Sequence, residues 1–404
     1  MYYGFMTSQG ITKAQLQSNI WKFYLFHPIG VAIGMAIPVI VLFWQDNGLS
    51  LTQVMILQSL FSIILIAFEV PSGYLADVYG RKKTFTWSAV FILSSVIAYS
   101  IGSGFLTFLI SESLMAVGLS LLSGADSAFL YDTLKQLGRE KEYKQIWGKR
   151  IFYGVFLMAI LNLLGGWLAS YELRYIWYAA IIPTLLMLLM SFTLHEPERS
   201  KLIYKKGYLH TLRTIIHEEI LNKPKLKWLI IYTGITFSFF HGAFWFYQPI
   251  FEITGVEIVY YGAIFAGFNV VSGLVSRYAY RIESFMGKKL TLISLTVLSG
   301  LGIILMSRIL FLFTFLFILL HQFVRGMYHV VVSDYINELT DSSIRATVLS
   351  AQSLFARFFY AMLIPFLGLA ADIYSVPQML FVMGITALVS GGIVLLGLHR
   401  YKLV

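Results

Sequence analysis

The sequence predicts an all-α polytopic membrane protein of twelve transmembrane helices in two six-helix pseudo-symmetric halves. Three observations carry this. The 404 residues are 58% hydrophobic and only 12% charged, too little polar surface for a soluble chain of this size. Apolar runs of roughly 20 residues, long enough to span hydrocarbon, recur from Ile20 almost to the C-terminus. The runs are continuous, whereas a transmembrane barrel needs alternating segments of about ten residues.

Taken in order, the first half places spans at about 19–44, 51–76, 84–102, 105–134, 147–169 and 174–194. The second half places them at about 227–252, 257–280, 288–306, 309–339, 344–372 and 376–399. Short turns such as Asp46-Asn47-Gly48 and Gly102-Ser103-Gly104 force neighbouring helices to run antiparallel. Residues 1–195 form one expected bundle and 227–404 the other. Between them, 196–226 reads as a cytoplasmic linker with a basic, amphipathic surface helix. The polar start, Met1 to Ser18, leads into a run without a small-residue cleavage site, so no removable signal peptide is expected.

The net charge of +10 is distributed by loop. Arg81, Lys82 and Lys83, the group from Lys135 to Arg150, Arg199 to Lys227, and Arg277 to Lys289 all fall on one side. The loops between hold little beyond Arg174 and Arg308. This asymmetry places both termini in the cytoplasm and makes the charge a topology signal rather than a nucleic-acid footprint. The chain has no cysteine, hence no disulfide or thiolate metal site. It has no P-loop, so ATP is not its energy source. Its histidines lack clustered carboxylates, so neither metal nor cofactor is expected.

The halves echo one another. Gly118 and Asp126 match Gly326 and Asp334 at the same spacing. Gly73 and Arg81-Lys82-Lys83 have a weaker echo in Gly273, Arg281, Gly287, Lys288 and Lys289. Two related halves around a central site are a transporter design.

The most informative stretch is Gly73-Tyr74-Leu75-Ala76-Asp77-Val78-Tyr79-Gly80-Arg81-Lys82-Lys83-Thr84, a charged turn between two apolar runs. Gly73 and Gly80 permit a tight turn and close helix approach. Asp77 is placed to accept backbone N–H groups of a facing helix N-terminus. The bland reading makes Arg81, Lys82 and Lys83 a topology anchor only; it fits Lys83 best.

This stretch resembles the loop motif of the major facilitator superfamily, Gly-x-Leu-Ala-Asp-x-x-Gly-Arg-Lys, in its bacterial drug and metabolite transporters. Gly73, Leu75, Ala76, Asp77, Gly80, Arg81 and Lys82 fit it, and Val78 stands where Arg is frequent. The resemblance implies a cytoplasmic gate. Asp77 would face the start of the eleventh helix near Ser343 and Arg345, and Arg81 would pair with Asp132 or Asp126. Two features depart from the pattern. Leu114 stands where the fourth helix of many members has Arg. Gly165 and Gly166 follow Asn162, Leu163 and Leu164 without the proline of the drug-antiporter signature.

Ionisable groups at membrane depth are expensive and therefore candidates for function. Glu112 is such an acid, and Asp126 follows fourteen residues later within about 40° of the same face. Both are proton-coupling candidates; a structural pair to Arg357 or Arg325 fits Glu112 equally, and structure fits Asp126 better. His321, Arg325 and His329 recur at i, i+4, i+8, and Arg357 lies mid-way along the eleventh span. Arginine holds a carboxylate in two bonds, so Arg325 leans to ligand, whereas packing suits the histidines. His241, Trp245 and Gln248 line up before helix-breaking Pro249 as an aromatic wall with one amide. His27, before Pro28, is a further cavity candidate.

The resemblance implies a secondary transporter working by alternating access on a small organic molecule, with protons as coupling ion. It points first to efflux from a bacterial inner membrane by a monomer. Uptake of an anionic nutrient or metal chelate stays open. A polytopic membrane enzyme would show a catalytic pair or metal cluster at one membrane face, and a channel would lack the gate motif.

Overall fold

A computed structural model describes residues 11–198, 220–342 and 344–401, apart from the side chains of residues 27–29, 31–32, 70 and 346. Most of the expected linker, residues 199–219, lies outside the described residues, as does Ser343. Among the described residues there are thirteen α-helices and no strand. The first half holds α1 (Lys13–Gly30), α2 (Ile40–Asp46), α3 (Leu51–Tyr79), α4 (Arg81–Ile101), α5 (Gly104–Gln136), α6 (Tyr143–Ala169) and α7 (Tyr175–Thr193). The second holds α8 (Pro224–Phe244), α9 (Tyr247–Ile253), α10 (Ile258–Arg308), α11 (Ile318–Glu338), α12 (Arg345–Ile373) and α13 (Val376–Arg400).

Ten helical stretches are long and apolar enough to cross a membrane. Two features reconcile them with twelve crossings. The α10 helix has 51 residues, about 76 Å at 1.5 Å per residue, far more than one crossing requires. It turns at Gly287, whose φ of 72° and ψ of 163° are non-helical, so it supplies the eighth and ninth spans. The first span is interrupted: α1 passes into a 3₁₀ turn, Val31–Met35, before α2 resumes.

The chain packs as two compact units. One comprises the residues up to Phe43 and those from Ile64 to the linker; the other comprises Trp44–Ile63 and everything after the linker. The sequence reading puts the division in the linker alone. By packing, Trp44–Ile63, the end of the first span and the start of the second, joins the second unit.

Small residues set the first unit's packing. A Cβ on Gly118 would lie 3.1 Å from the Ser88 carbonyl oxygen, and the Ser88 hydroxyl donates back to the Gly118 carbonyl at 2.7 Å. Ser95 repeats this on Ser111 at 2.7 Å. A Cβ on Gly165 of α6 would overlap the carbonyl oxygen of Met35, so α6 lies directly on the interrupted first span.

In the second unit, Tyr232, Leu292, Val324, Tyr328 and Val348 belong to one buried apolar cluster. Tyr232 donates to the Leu292 carbonyl at 2.8 Å. The start of α3 is tied in by Asp372 at the end of α12. Its carboxylate accepts from the backbone N–H groups of Leu51 (3.0 Å) and Thr52 (2.8 Å) and from the Thr52 hydroxyl (2.6 Å). Helix N-termini leave such donors without intrahelical partners, and a carboxylate there also complements the helix dipole.

Candidate functional site

The stretch from Gly73 to Thr84 is less of a loop than its sequence suggests. The α3 helix continues through Tyr79, and the chain breaks only at Gly80. Gly73 sits inside the helix with open space where a Cβ would go; the tight neighbour is Gly124 of α5, whose Cβ would meet Ser72 and Gly73. Gly80 does carry the turn. Its φ of 106° is a conformation side chains rarely adopt, and a Cβ there would press on the Glu196 carboxylate at 3.1 Å.

Glu196 is the residue that sequence reasoning missed. Its carboxylate accepts from the backbone N–H of Arg81 at 2.9 Å and of Lys82 at 2.7 Å, closing the N-terminus of α4. The Arg81 guanidinium pairs with Asp132 of α5, and Asp77 lies 3.8 Å from it. Of the two partners expected for Arg81, Asp132 is therefore the one in place. The carboxylate that caps α4 is that of Glu196. The second unit repeats the arrangement with different residues: Gly287 breaks the helix, and Lys288 next to it pairs with Glu338.

Neighbouring bonds hold the end of α7 against this node. Lys22 donates to the Thr193 carbonyl at 2.5 Å, and Asn19 exchanges two hydrogen bonds with the His195 backbone at 2.7 and 3.0 Å. Burial first, then the charges of Lys22 and Lys82, hold His195 below its ordinary value of 6.5. A histidine kept neutral by folding adds stability above about pH 6.5 and loses it as pH falls through the lowered folded value. The stability gap between the protein and His195→Gln is therefore expected to change between about pH 7 and pH 5, with wild type losing more. Thermal unfolding across that range checks it.

The two acids of α5 have different surroundings. Asp126 accepts from Arg150 at 2.8 Å, and the Arg150 guanidinium lies 4.3 Å over the Trp147 ring. It is part of a buried ion pair, in keeping with the structural reading of this acid. Removing one partner of such a pair costs about 3–5 kcal/mol, whereas replacing both by apolar groups is near neutral. Asp126→Ala is expected to destabilise the protein by that order and Asp126→Leu with Arg150→Met by far less; denaturation of the purified variants measures both. Glu112 is 6% exposed and accepts from the Tyr99 hydroxyl at 2.5 Å. Tyr99 stacks on Trp177 with ring centroids 4.0 Å apart.

In the second unit the seventh span breaks at Trp245 and Phe246, before Pro249 rather than at it. Proline lacks an N–H and its ring crowds the carbonyl one turn back. Trp245 donates to the Tyr360 hydroxyl at 2.7 Å, and Gln248 is fully buried in α9. The expected stripe on α11 divides. His321 is buried, 2.9 Å from the Ser299 carbonyl and 2.8 Å from the Tyr247 hydroxyl. Its Nε2–H donates to the carbonyl, and Nδ1 accepts from the phenol, so both nitrogens serve packing. Arg325 and His329 are exposed, and Arg357 is half-buried. Arg325 donates to Asn269 at 2.9 Å and to Gln322 at 3.2 Å. The side chain of His27 lies outside the described part of the structure. Among the described residues no metal-binding cluster of His, Cys, Asp and Glu forms.

The Major Facilitator Superfamily profile matches residues 25–359. The chain belongs to this superfamily. It is accordingly a multi-pass membrane transporter and not an enzyme. It is 24% identical over 343 residues to the MFS-type transporter YxaM of Bacillus subtilis, covering 82% of this chain and 84% of that one. It is 22% identical over 216 residues to the quinolone resistance protein NorA of Staphylococcus aureus, 52% of this chain and 53% of that one. The fold resembles that of a point mutant of the nucleoside transporter NupG, with a TM-score of 0.81 and 13% identity over 95% of this chain and 99% of that one.

Proposed function

We propose that this protein is a proton-coupled secondary transporter that moves a small organic solute by alternating access, acting as a monomer in a bacterial inner membrane with both termini cytoplasmic. Glu112 carries the reading. It is a buried carboxylate at membrane depth that accepts from a neutral phenol, Tyr99, and an acid so placed is suited to binding and releasing a proton. Asp126 serves structure through Arg150. The node of Gly80, Arg81, Lys82, Asp132 and Glu196 is the cytoplasmic gate, with Asp77 beside it. His241, Trp245 and Arg325 line the solute path.

Efflux is the first direction, supported by similarity to a quinolone resistance protein. Proton-driven uptake of an anionic nutrient or chelate is the second, favoured by the arginines of the second unit. A thermal-shift screen of purified protein against organic anions, amphipathic drugs and chelates selects a solute. Its proton-driven movement in right-side-out and everted vesicles then assigns direction. Accumulation in everted vesicles on an inside-acid gradient supports efflux, and accumulation only in right-side-out vesicles overturns it.

A further inference from the structure

We propose that the solute is an organic anion whose acid group is held by Arg325 and Arg357, with its flat apolar body against His241, Phe237 and Tyr360. The inference rests on the transporter reading and names its substrate class.

The charge balance of the second unit is the first observation. Arg325 lies near the midpoint of the apolar stretch Thr314–Glu338 and Arg357 near that of Thr347–Ile373. Among the described residues of the second unit no carboxylate lies within ion-pair distance of either. Three of the unit's acids are engaged elsewhere: Asp372 caps α3, Glu338 pairs with Lys288, and Glu283 accepts from Tyr335. Arg325 is oriented instead by two neutral amides, Asn269 and Gln322. They fix its direction and leave its charge unmatched, while a guanidinium has five donors to give. A mid-membrane cation that no described acid of its own unit balances is suited to an anion from outside the chain.

Convergence is the second observation. Phe237 of α8 meets Tyr328 of α11 at 6.2 Å and Tyr360 of α12 at 5.9 Å. Arg325 and Arg357 each lie one helical turn before one of these tyrosines, so both charges flank one aromatic group. A guanidinium binds carboxylate or phosphate oxygens in parallel pairs.

The aromatic wall is the third. The His241 ring stacks on Phe237 at 4.9 Å and meets Tyr360 at 4.9 Å. Trp245 fixes Tyr360 through its indole N–H. Tyr360 lies one helical turn beyond Arg357 on α12, so the ring and the charge share a face. An acid group on an aromatic or otherwise flat body satisfies both parts.

The test uses the full-length protein in detergent and two readouts. The first needs no substrate. Unmatched guanidinium groups destabilise the empty protein, so Arg325→Gln and Arg357→Gln each raise its unfolding temperature by roughly 2 °C or more. The second adds benzoate, phenylphosphonate, benzamide or benzyltrimethylammonium. The two acids stabilise wild type, the amide and the ammonium do not, and either variant loses at least ten-fold in affinity for the acids. Lower unfolding temperatures in both variants, no response to either acid, or a response to the ammonium equal to that of benzoate overturns the proposal. Those results leave proton-driven transport of another solute class standing. Failure of the transporter reading shows separately, as the absence of exchange in vesicles.

Discussion

Gly165→Val yields no monodisperse folded protein, whereas Gly154→Val on the same helix does. A Cβ on Gly165 overlaps the carbonyl oxygen of Met35 and crowds its backbone. The obstacle is main chain, held in the 3₁₀ turn that interrupts the first span, so a side-chain shift does not relieve it. Overpacking against movable side chains already costs about 1–3 kcal/mol; here α6 must lift off the first span. A Cβ on Gly154 would have nothing within 4 Å, so the control carries the same change of composition without the clash. Size-exclusion profiles and unfolding midpoints of the two variants decide it. Equal behaviour would mean that α6 does not depend on this approach.

Glu112→Gln abolishes solute accumulation driven by a proton gradient, by about ten-fold or more, and leaves solute exchange at equilibrium intact. General acid–base roles are commonly worth about 10²–10⁴-fold, and coupling through one carboxylate has no substitute once that group stops titrating. Glutamine keeps the volume and still accepts from the Tyr99 hydroxyl, so the stack of Tyr99 on Trp177 persists. Tyr99→Phe, which removes the donor and keeps the ring, weakens coupling without eliminating it. Accumulation by Glu112→Gln at the wild-type rate would remove Glu112 from the coupling path.

The membrane plan is legible in the sequence because hydrocarbon imposes length and apolarity on every span. The pairing of Arg81 with Asp132 is legible as far as two candidates, since Asp126 and Asp132 share α5. Burial beside Trp147 and Arg150 separates them, and that is tertiary information. By sequence Glu196 reads as the first residue of a linker. Only the fold brings the end of α7 to the start of α4, although an acid just after a span and before Pro197 is a visible cue. Asp372 is hidden for the same reason: its partners, Leu51 and Thr52, are more than three hundred positions away. Gly165 and Gly166 read as remnants of an exporter signature, while the structure gives Gly165 a packing duty that needs no particular direction of transport. His321 shares a stripe with Arg325 by spacing. Periodicity sets that spacing, but the Ser299 carbonyl and Tyr247 turn the imidazole to packing.

The most direct test of the account is counterflow. Proteoliposomes loaded with an excess of unlabelled solute, chosen by the thermal-shift screen, are diluted into a trace of the labelled form without any proton gradient. A carrier working by alternating access produces a transient overshoot of label inside, and the recovered label is chemically unchanged. Label that equilibrates without overshoot, or that is recovered as a different compound, would contradict the account.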